Sequence, residues 1–135
     1  MERLFIDTNI VIDLLARREP FFREAQDLFT LGDQKKVQLL ISALTFANAY
    51  YSISKHHKEV EARRHLANFK VLVTILPIDN KIIDLSLASE FADFEDGLQY
   101  FTAIENSSDL IITRNKKDFR DSQIPVLSAG EYLRK

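Results

Sequence analysis

The chain has 135 residues, of which 46% are hydrophobic and 28% charged, and its formal net charge at pH 7 is −2. This length supports one domain with a real core, so we expect a single domain over residues 1–135. The absence of cysteine excludes disulfides and thiolate metal sites and is consistent with a cytoplasmic location. No apolar run approaches the roughly 20 residues that span a bilayer, so we expect no membrane partner.

Short apolar segments alternate with helical patterns along the chain. The predicted strands are Arg3–Ile6, Gln38–Ser42, Val71–Leu76, Leu110–Thr113 and Pro125–Leu127. The predicted helices are Thr8–Ala16, Pro20–Leu31, Ala43–Lys55, Lys58–Phe69, Asn80–Phe91 and Asp93–Asn106, with a final turn at Ser128–Leu133. Strands rich in Val, Ile and Leu that alternate with helices are typical of an α/β fold around a parallel sheet. In the second helix, Pro20 is expected at the first helical position and Gly32 just past the end.

Polar side chains gather where predicted strands end and helices begin. Asp7 ends the first strand, and Asp96 lies in the first turn of the helix that starts near Asp93. Asn115 and Asp118 follow the fourth strand. Because the carboxyl ends of parallel strands meet at one edge of a sheet, we expect three carboxylates and an amide to face one cavity.

Such a cluster has a definite chemistry. Crowded carboxylates raise each other's pKa unless a cation neutralises them. Ligands that are all oxygen select a hard divalent ion, Mg²⁺ or Mn²⁺. An ion of this kind acidifies water and stabilises charge on a phosphoryl group. The cluster therefore suggests metal-assisted hydrolysis of a phosphodiester bond.

Each of these residues also has a purely structural interpretation. Asp7 could cap the first helix, and Asp96 could complete a capping box or favour the helix dipole. Asn115 and Asp118 could be ordinary turn residues. Asp13 looks like an exposed helix acid, and we assign it no function.

Charge is distributed unevenly along the chain. Residues 51–70 hold five Lys or Arg side chains and all three histidines, residues 79–96 hold six acids, and residues 114–120 turn basic again. Basic surfaces beside an acidic cluster could steer a nucleic-acid backbone toward a metal site. The alternative is that these residues are solvated helix faces.

Four segments, in the same order, resemble the motifs of the PIN domain family, and the resemblance covers the whole chain. The segments are Leu4–Asn9, Ile41–Asn48, Asp93–Tyr100 and Asp109–Phe119. The resemblance implies a Rossmann-like three-layer α/β/α sandwich with about five parallel strands, a Mg²⁺ or Mn²⁺ cofactor and endoribonuclease activity. The sequence is also similar to VapC toxins. That similarity implies an RNA substrate such as tRNA or mRNA, a homodimer, and a cognate antitoxin in a type II toxin–antitoxin pair.

The resemblance also implies roles for individual residues. Asp7, Asp96 and Asp118 become the catalytic and metal-binding acids, and Asn115 joins them at the metal either directly or through water. The remaining implied roles are polar support by Thr8, Asn9 and Thr113 and phosphate contact by Arg114 and Lys116.

Asn48 departs from the family pattern, which usually has Glu at this position. An amide offers a carbonyl oxygen but no negative charge, so we expect weaker Mg²⁺ binding. Asn48 could instead support the site by hydrogen bonding a carboxylate, and Glu95 or Asp93 could partly restore the charge. Two functions therefore stay open, a metal-dependent endoribonuclease and a catalytically weakened PIN domain that binds RNA or protein.

Overall fold

The computed structural model describes residues 1–135 as a parallel sheet between two layers of helices. The strands are β1 Glu2–Ile6, β2 Val37–Ser42, β3 Thr74–Leu76, β4 Leu110–Ile112 and β5 Val126–Leu127. The helices are α1 Thr8–Leu15, α2 Phe22–Asp33, α3 Ala43–Ser54, α4 Glu59–Lys70, α5 Asn80–Ala88, α6 Phe94–Glu105 and α7 Ala129–Leu133, with a 3₁₀ helix at Lys116–Phe119. None of the helices is long and apolar enough to cross a bilayer.

All strand pairs are parallel, and their order across the sheet is β3-β2-β1-β4-β5. On β1, Leu4 and Ile6 pack in the core cluster that contains Leu28 of α2, whereas Phe5 packs in a second cluster with Tyr100 of α6. Because helices cover both faces, every one of these positions must be apolar, which explains the unbroken apolar runs in the sequence. The predicted α/β/α sandwich with a five-stranded parallel sheet is confirmed.

Several predicted boundaries were wrong, and two elements show why. The third strand starts at Thr74 rather than Val71, because Val71 is the C-terminal cap of α4 and is 85% exposed. The second helix starts at Phe22, two residues after Pro20, and continues through Gly32 to Asp33.

Gly32 therefore serves packing rather than helix termination. A Cβ at this position would lie 2.4 Å from Cδ1 of Leu39, a core residue on β2. The left-handed backbone conformation after the helix falls instead on Lys35, which has φ of 59°. Only a glycine lets α2 approach the sheet this closely without displacing that leucine.

The fold brings three strand ends together at one edge of the sheet. Asp7 follows β1, Ser42 ends β2, and Thr113 follows β4. The backbone N–H of Asp7 donates to the carbonyl of Ile112 at 3.0 Å, so the first and fourth strands stay paired up to the edge. Residues far apart in the chain are therefore neighbours where the site was predicted.

Candidate active site

Asp7 is an almost buried carboxylate, 8% exposed, whose two oxygens both accept hydrogen bonds. Its Oδ1 accepts from the backbone N of Thr8 at 2.8 Å and from Nε2 of Gln99 at 3.1 Å. Its Oδ2 accepts from the Thr113 hydroxyl at 2.7 Å. Asp7 does cap α1, as the structural interpretation expected, but the two side-chain donors from distant elements go beyond a local cap.

Gln99 connects Asp7 to the third helix, and sequence reasoning did not find it. It is 3% exposed, its Nε2 also donates to Oγ1 of Thr45 at 2.8 Å, and its Oε1 accepts from the hydroxyl of Ser42 at 2.5 Å. One signal was available in the sequence. Gln99 is a polar residue one turn after Asp96, and it stands between Leu98 and Tyr100.

Asp96 and Asp118 line one cavity of about 590 Å³ at this edge. Burial raises the pKa of Asp96 to about 7, and the negative charges of Asp93, Asp118, Asp7 and Glu95 add to the rise. The side chain of Asp93 caps α6 by accepting from the backbone N of Glu95 at 2.8 Å, and no capping box forms with Asp96. The charges of Asp7 and Asp118 therefore act on Asp96, but the cavity is lined by Asp96 and Asp118 and not by Asp7 or Asn115, so the predicted four side chains do not all face it.

The donor set of this cluster fits a hard divalent cation. Its acids offer only oxygen, the ligand type that Mg²⁺ and Mn²⁺ prefer, and after burial the charges of neighbouring acids contribute to the raised pKa of Asp96. No three acidic or histidine side chains are arranged closely enough to hold an ion in this conformation. The chemistry of the residues fits the ion, whereas their present spacing does not form a closed coordination shell.

Asn115 and Asp118 belong to the segment that follows β4. Asn115 is the N-terminal cap of the short 3₁₀ helix, and Asp118 lies within that helix. The backbone N of Asn115 donates to the Thr113 hydroxyl at 3.1 Å, and the backbone N of Asp118 donates to the Asn115 carbonyl at 3.0 Å. These are turn contacts of the backbone, and they place the Asp118 side chain at the cavity. The exposed amide of Asn115 makes no side-chain hydrogen bond.

The residues predicted as polar supports contact one another around Asp7. Nδ2 of Asn9 donates to the Thr113 hydroxyl at 3.3 Å, and Oδ1 of Asn9 accepts from the backbone N of Arg114 at 3.4 Å. The hydroxyls of Thr8 and Thr45 lie 2.7 Å apart. This arrangement joins the starts of α1 and α3 to the end of β4.

Arg114, a predicted phosphate contact, pairs with a buried acid. Its Nε and Nη2 donate to the Asp13 carboxylate at 2.8 and 3.2 Å, and its guanidinium lies 3.9 Å from the centre of the Phe21 ring. Arg18 donates to the same carboxylate at 2.9 Å. The expectation that Asp13 is an exposed helix acid was wrong, because its side chain is fully buried between two arginines from separate loops.

Lys116, the other predicted phosphate contact, pairs with Glu131 of α7. Its Nζ lies 2.9 Å from both carboxylate oxygens. The pKa of Glu131 is lowered to about 2, first by the hydrogen bond from the Ser128 backbone and then by the one from Lys116. Both predicted phosphate contacts are thus engaged by carboxylates in this conformation.

Asn48 lies where helices α3 and α6 approach each other at the mouth of the site. Its Nδ2 is 3.5 Å from Oε1 of Glu95, which is a long contact. The carboxylate of Glu95 therefore lies next to the Asn48 amide. Asn48 occupies the position at which the family usually has a glutamate.

The raised pKa of Asp96 predicts a stability effect with a definite sign. We expect Asp96→Asn to stabilise the metal-free protein, and the gain to grow as the pH rises from about 4 to about 7. A carboxyl with a raised pKa in the folded state binds its proton more tightly there, so ionisation at higher pH favours unfolding. After allowance for solvent screening of this half-buried group, we expect about 1 kcal/mol near pH 8.

Urea unfolding in EDTA near pH 4.5 and near pH 8 measures this effect. Asp84→Asn, which changes an exposed acid on α5, is the matched control and should give no such pH dependence. An Asp96→Asn gain that is equal at both pH values would contradict the prediction.

These features define a class of protein, a three-layer α/β/α sandwich with an acidic cluster at the carboxyl edge of its parallel sheet. A family model described as PIN domain matches residues 3–117, and the chain belongs to this family. Ribonuclease VapC1 of Aquifex aeolicus (strain VF5) is 29% identical over 139 residues, which span 97% of this chain and 93% of that protein. The predicted family resemblance is confirmed.

Solved structures agree with this assignment. A toxin-antitoxin complex from Klebsiella pneumoniae contains a chain that is 30% identical, with a TM-score of 0.68 over 93% of this chain and 97% of that one. VapBC-1 from nontypeable Haemophilus influenzae shares the fold at 16% identity, with a TM-score of 0.68 over 94% of this chain and 98% of that one.

Proposed function

We propose that this protein is a metal-dependent endoribonuclease and the toxin of a type II toxin–antitoxin pair. The observation that carries the proposal is the acidic environment of Asp96, whose pKa is raised by burial and by the charges of neighbouring acids that include Asp118 and Asp7, from two other parts of the chain. The similarity to a ribonuclease of the VapC type supports it. The proposed substrate is RNA, such as tRNA or mRNA, and the proposed location is the cytoplasm.

The residues of the chain divide the work. Asp7, Asp96 and Asp118 would hold Mg²⁺ or Mn²⁺, and the side-chain amide oxygen of Asn115 would add a neutral ligand. The bound ion supplies the charge that acidifies water and stabilises a phosphoryl group. Three hydrogen bonds fix the orientation of the Asp7 carboxylate, and the cation would offset both the burial and the charge repulsion that raise the pKa of Asp96.

Cleavage of an end-labelled, mixed-sequence single-stranded RNA tests the proposal. We expect cutting with Mn²⁺ or Mg²⁺, none with EDTA, and loss of cutting in Asp96→Asn. Because that variant should be at least as stable as the parent, unfolding would not explain its loss. Cutting that persists in EDTA, or that Asp96→Asn retains, would contradict the proposed metal-dependent mechanism.

We further propose that the toxin forms a homodimer and binds a cognate antitoxin. The solved chain that is 30% identical belongs to a toxin-antitoxin complex. A cavity of about 870 Å³ between α1, α2, α3 and α4 has an apolar floor that includes Leu15, Phe22 and Phe69, with Arg17 and Lys55 at its rim. This combination suits an amphipathic helix with acidic edges. Co-expression with a small protein encoded beside the gene tests the pairing, because a true antitoxin should co-purify and suppress cleavage.

Asn48 favours a second candidate function, a PIN domain with weakened catalysis that binds RNA or protein. Replacing Asn48 by Glu adds the missing negative charge beside Glu95, so we expect Mn²⁺ affinity to rise about tenfold. Isothermal titration with Mn²⁺ measures it, and Asn80→Glu, the same change at an exposed position on α5, should leave the affinity unchanged.

The same variant separates the two functions. A parent that already cleaves RNA supports the endoribonuclease, and a faster Asn48→Glu then shows that the amide merely weakens the site. An inactive parent whose Asn48→Glu variant gains cleavage supports the binding module instead.

A further inference from the structure

We propose that Gln99 is a positioning residue, whose buried amide fixes the Asp7 carboxylate for cation binding and ties it to α3 through Thr45 and Ser42. This inference rests on the proposed metal-dependent function. It concerns a side chain that would touch neither the ion nor the RNA and would act only through Asp7.

The hydrogen-bonding capacity of Gln99 is fully used in one orientation. The amide has two N–H donors, and its two nearest acceptors are Oγ1 of Thr45 at 2.8 Å and Oδ1 of Asp7 at 3.1 Å. The Asp7 carboxylate can only accept, so the NH₂ group must face it, and the amide oxygen then accepts from the hydroxyl of Ser42 at 2.5 Å. Asp7 therefore sets the direction of the Gln99 amide, and the amide in turn holds the Asp7 carboxylate in place.

Ser42 and Thr45 are themselves held in place. The Ser42 hydroxyl also accepts from the backbone N of Thr45 at 3.1 Å and so caps α3. Both side chains are fully buried, so neither has water as an alternative partner. The hydrogen bonds from Gln99 therefore connect the Asp7 carboxylate to the start of α3, and moving one of these side chains would disturb the others.

Gln99 also sets the relation between two acids. It follows Asp96 by three residues on α6, so the two side chains lie on the same side of the helix, one turn apart. Helix α6 therefore carries Asp96 at the cavity and, one turn later, holds Asp7 through the hydrogen bond from Gln99. A shift of α6 would have to break the Gln99 contact with Asp7 before the two carboxylates could separate.

The chemistry of the amide matters as well as its shape. A methionine would fill nearly the same volume but would offer no donor to Asp7 or Thr45. A glutamate would place a second negative charge against Asp7. Only the neutral amide combines the reach, the donor and the absence of charge that this position requires.

Mn²⁺ affinity measured from the electron paramagnetic resonance signal of free Mn²⁺ tests the inference. We expect Gln99→Met to weaken Mn²⁺ binding about tenfold or more, the cost typical of residues that orient metal ligands. The Mn²⁺ concentration for half-maximal cleavage should rise by the same factor, with KM for RNA unchanged.

Thr102→Val is the matched control. Thr102 is fully buried on the same helix, and its hydroxyl donates to the Leu98 carbonyl at 2.6 Å, away from Asp7. We expect this variant to lose stability in urea while it binds Mn²⁺ as the parent does. A purely structural role for Gln99 would give both variants the same behaviour.

The outcomes are separable. A folded Gln99→Met that binds Mn²⁺ within twofold of the parent overturns the inference alone, and a parent that binds no Mn²⁺ overturns it together with the proposed function. A parent that binds Mn²⁺ but cuts no RNA contradicts only the nuclease. If Gln99→Met does not fold, Thr45→Val removes the second anchor of the amide and should weaken Mn²⁺ binding severalfold; an unchanged affinity then overturns the inference.

Discussion

Replacing Asp7 by Asn is expected to lower metal-dependent RNA cleavage by about a hundredfold or more. Residues that only orient a metal ligand already contribute 10- to 100-fold in affinity or activity, so loss of a charged ligand should cost at least the upper end of that range. The amide also conflicts with its surroundings. An NH₂ group in place of Oδ1 would face the Thr8 and Gln99 donors, and one in place of Oδ2 would take away the acceptor of the Thr113 hydroxyl.

The fold should survive this change. Asparagine caps helices about as well as aspartate, so α1 keeps its cap and the loss of activity can be assigned to the site. Initial cleavage rates in Mn²⁺, with circular dichroism of the same samples, give the measurement. Asp84→Asn should cleave like the parent. An Asp7→Asn/Asp96→Asn double variant that cleaves as fast as the parent would show that the activity comes from another site or from a contaminating nuclease.

Asp13→Asn is expected to destabilise the protein by about 3 kcal/mol, the largest stability effect among the changes considered. Removing one partner of a buried ion pair leaves uncompensated charge, which typically costs about 3–5 kcal/mol. Here the Asp13 side chain is 1% exposed, but those of Arg18 and Arg114 are 42% and 29% exposed. Because water can reach both arginines, we expect a cost at the lower end of that range. Asn keeps the size and helix position of the residue, so the effect isolates the charge.

The urea midpoint of unfolding measures this loss. In an Arg114→Met background the same Asp13→Asn change should cost clearly less, because one of the two charges that it abandons is already gone. A loss below about 0.5 kcal/mol in the parent background would place Asp13 among ordinary surface residues and contradict the buried-pair interpretation.

The sequence was sufficient to predict the parallel sheet and the edge at which its strand-end polar residues lie. The strands are local apolar runs, and the parallel arrangement brings Asp7 to the same edge as the residues after β4. Boundaries were less predictable, because they depend on packing between distant parts. Gly32, for example, looks like a helix terminator in the sequence but is there to make room for Leu39.

The partners of buried polar side chains could not be predicted from neighbouring residues in the sequence. Gln99 reaches Asp7, 92 residues earlier, and Arg114 reaches Asp13, 101 residues earlier. No periodic pattern in the sequence indicates either pairing. From the sequence alone, an acid or amide on a helix is expected to be solvent-exposed, because its distant partner is not known. Only the assembled tertiary structure reveals that such a side chain is neutralised or fixed.

The pairing of β1 with β4 has a consequence during synthesis on the ribosome. Asp7 leaves the exit tunnel first, but the strand that supports it, its hydrogen-bonding partner Thr113 and the third acid Asp118 all come from the last quarter of the chain. A nascent polypeptide that lacks residues 110–118 has neither the edge of the sheet nor the full set of carboxylates. A nuclease built on this site is therefore unassembled throughout most of its own translation.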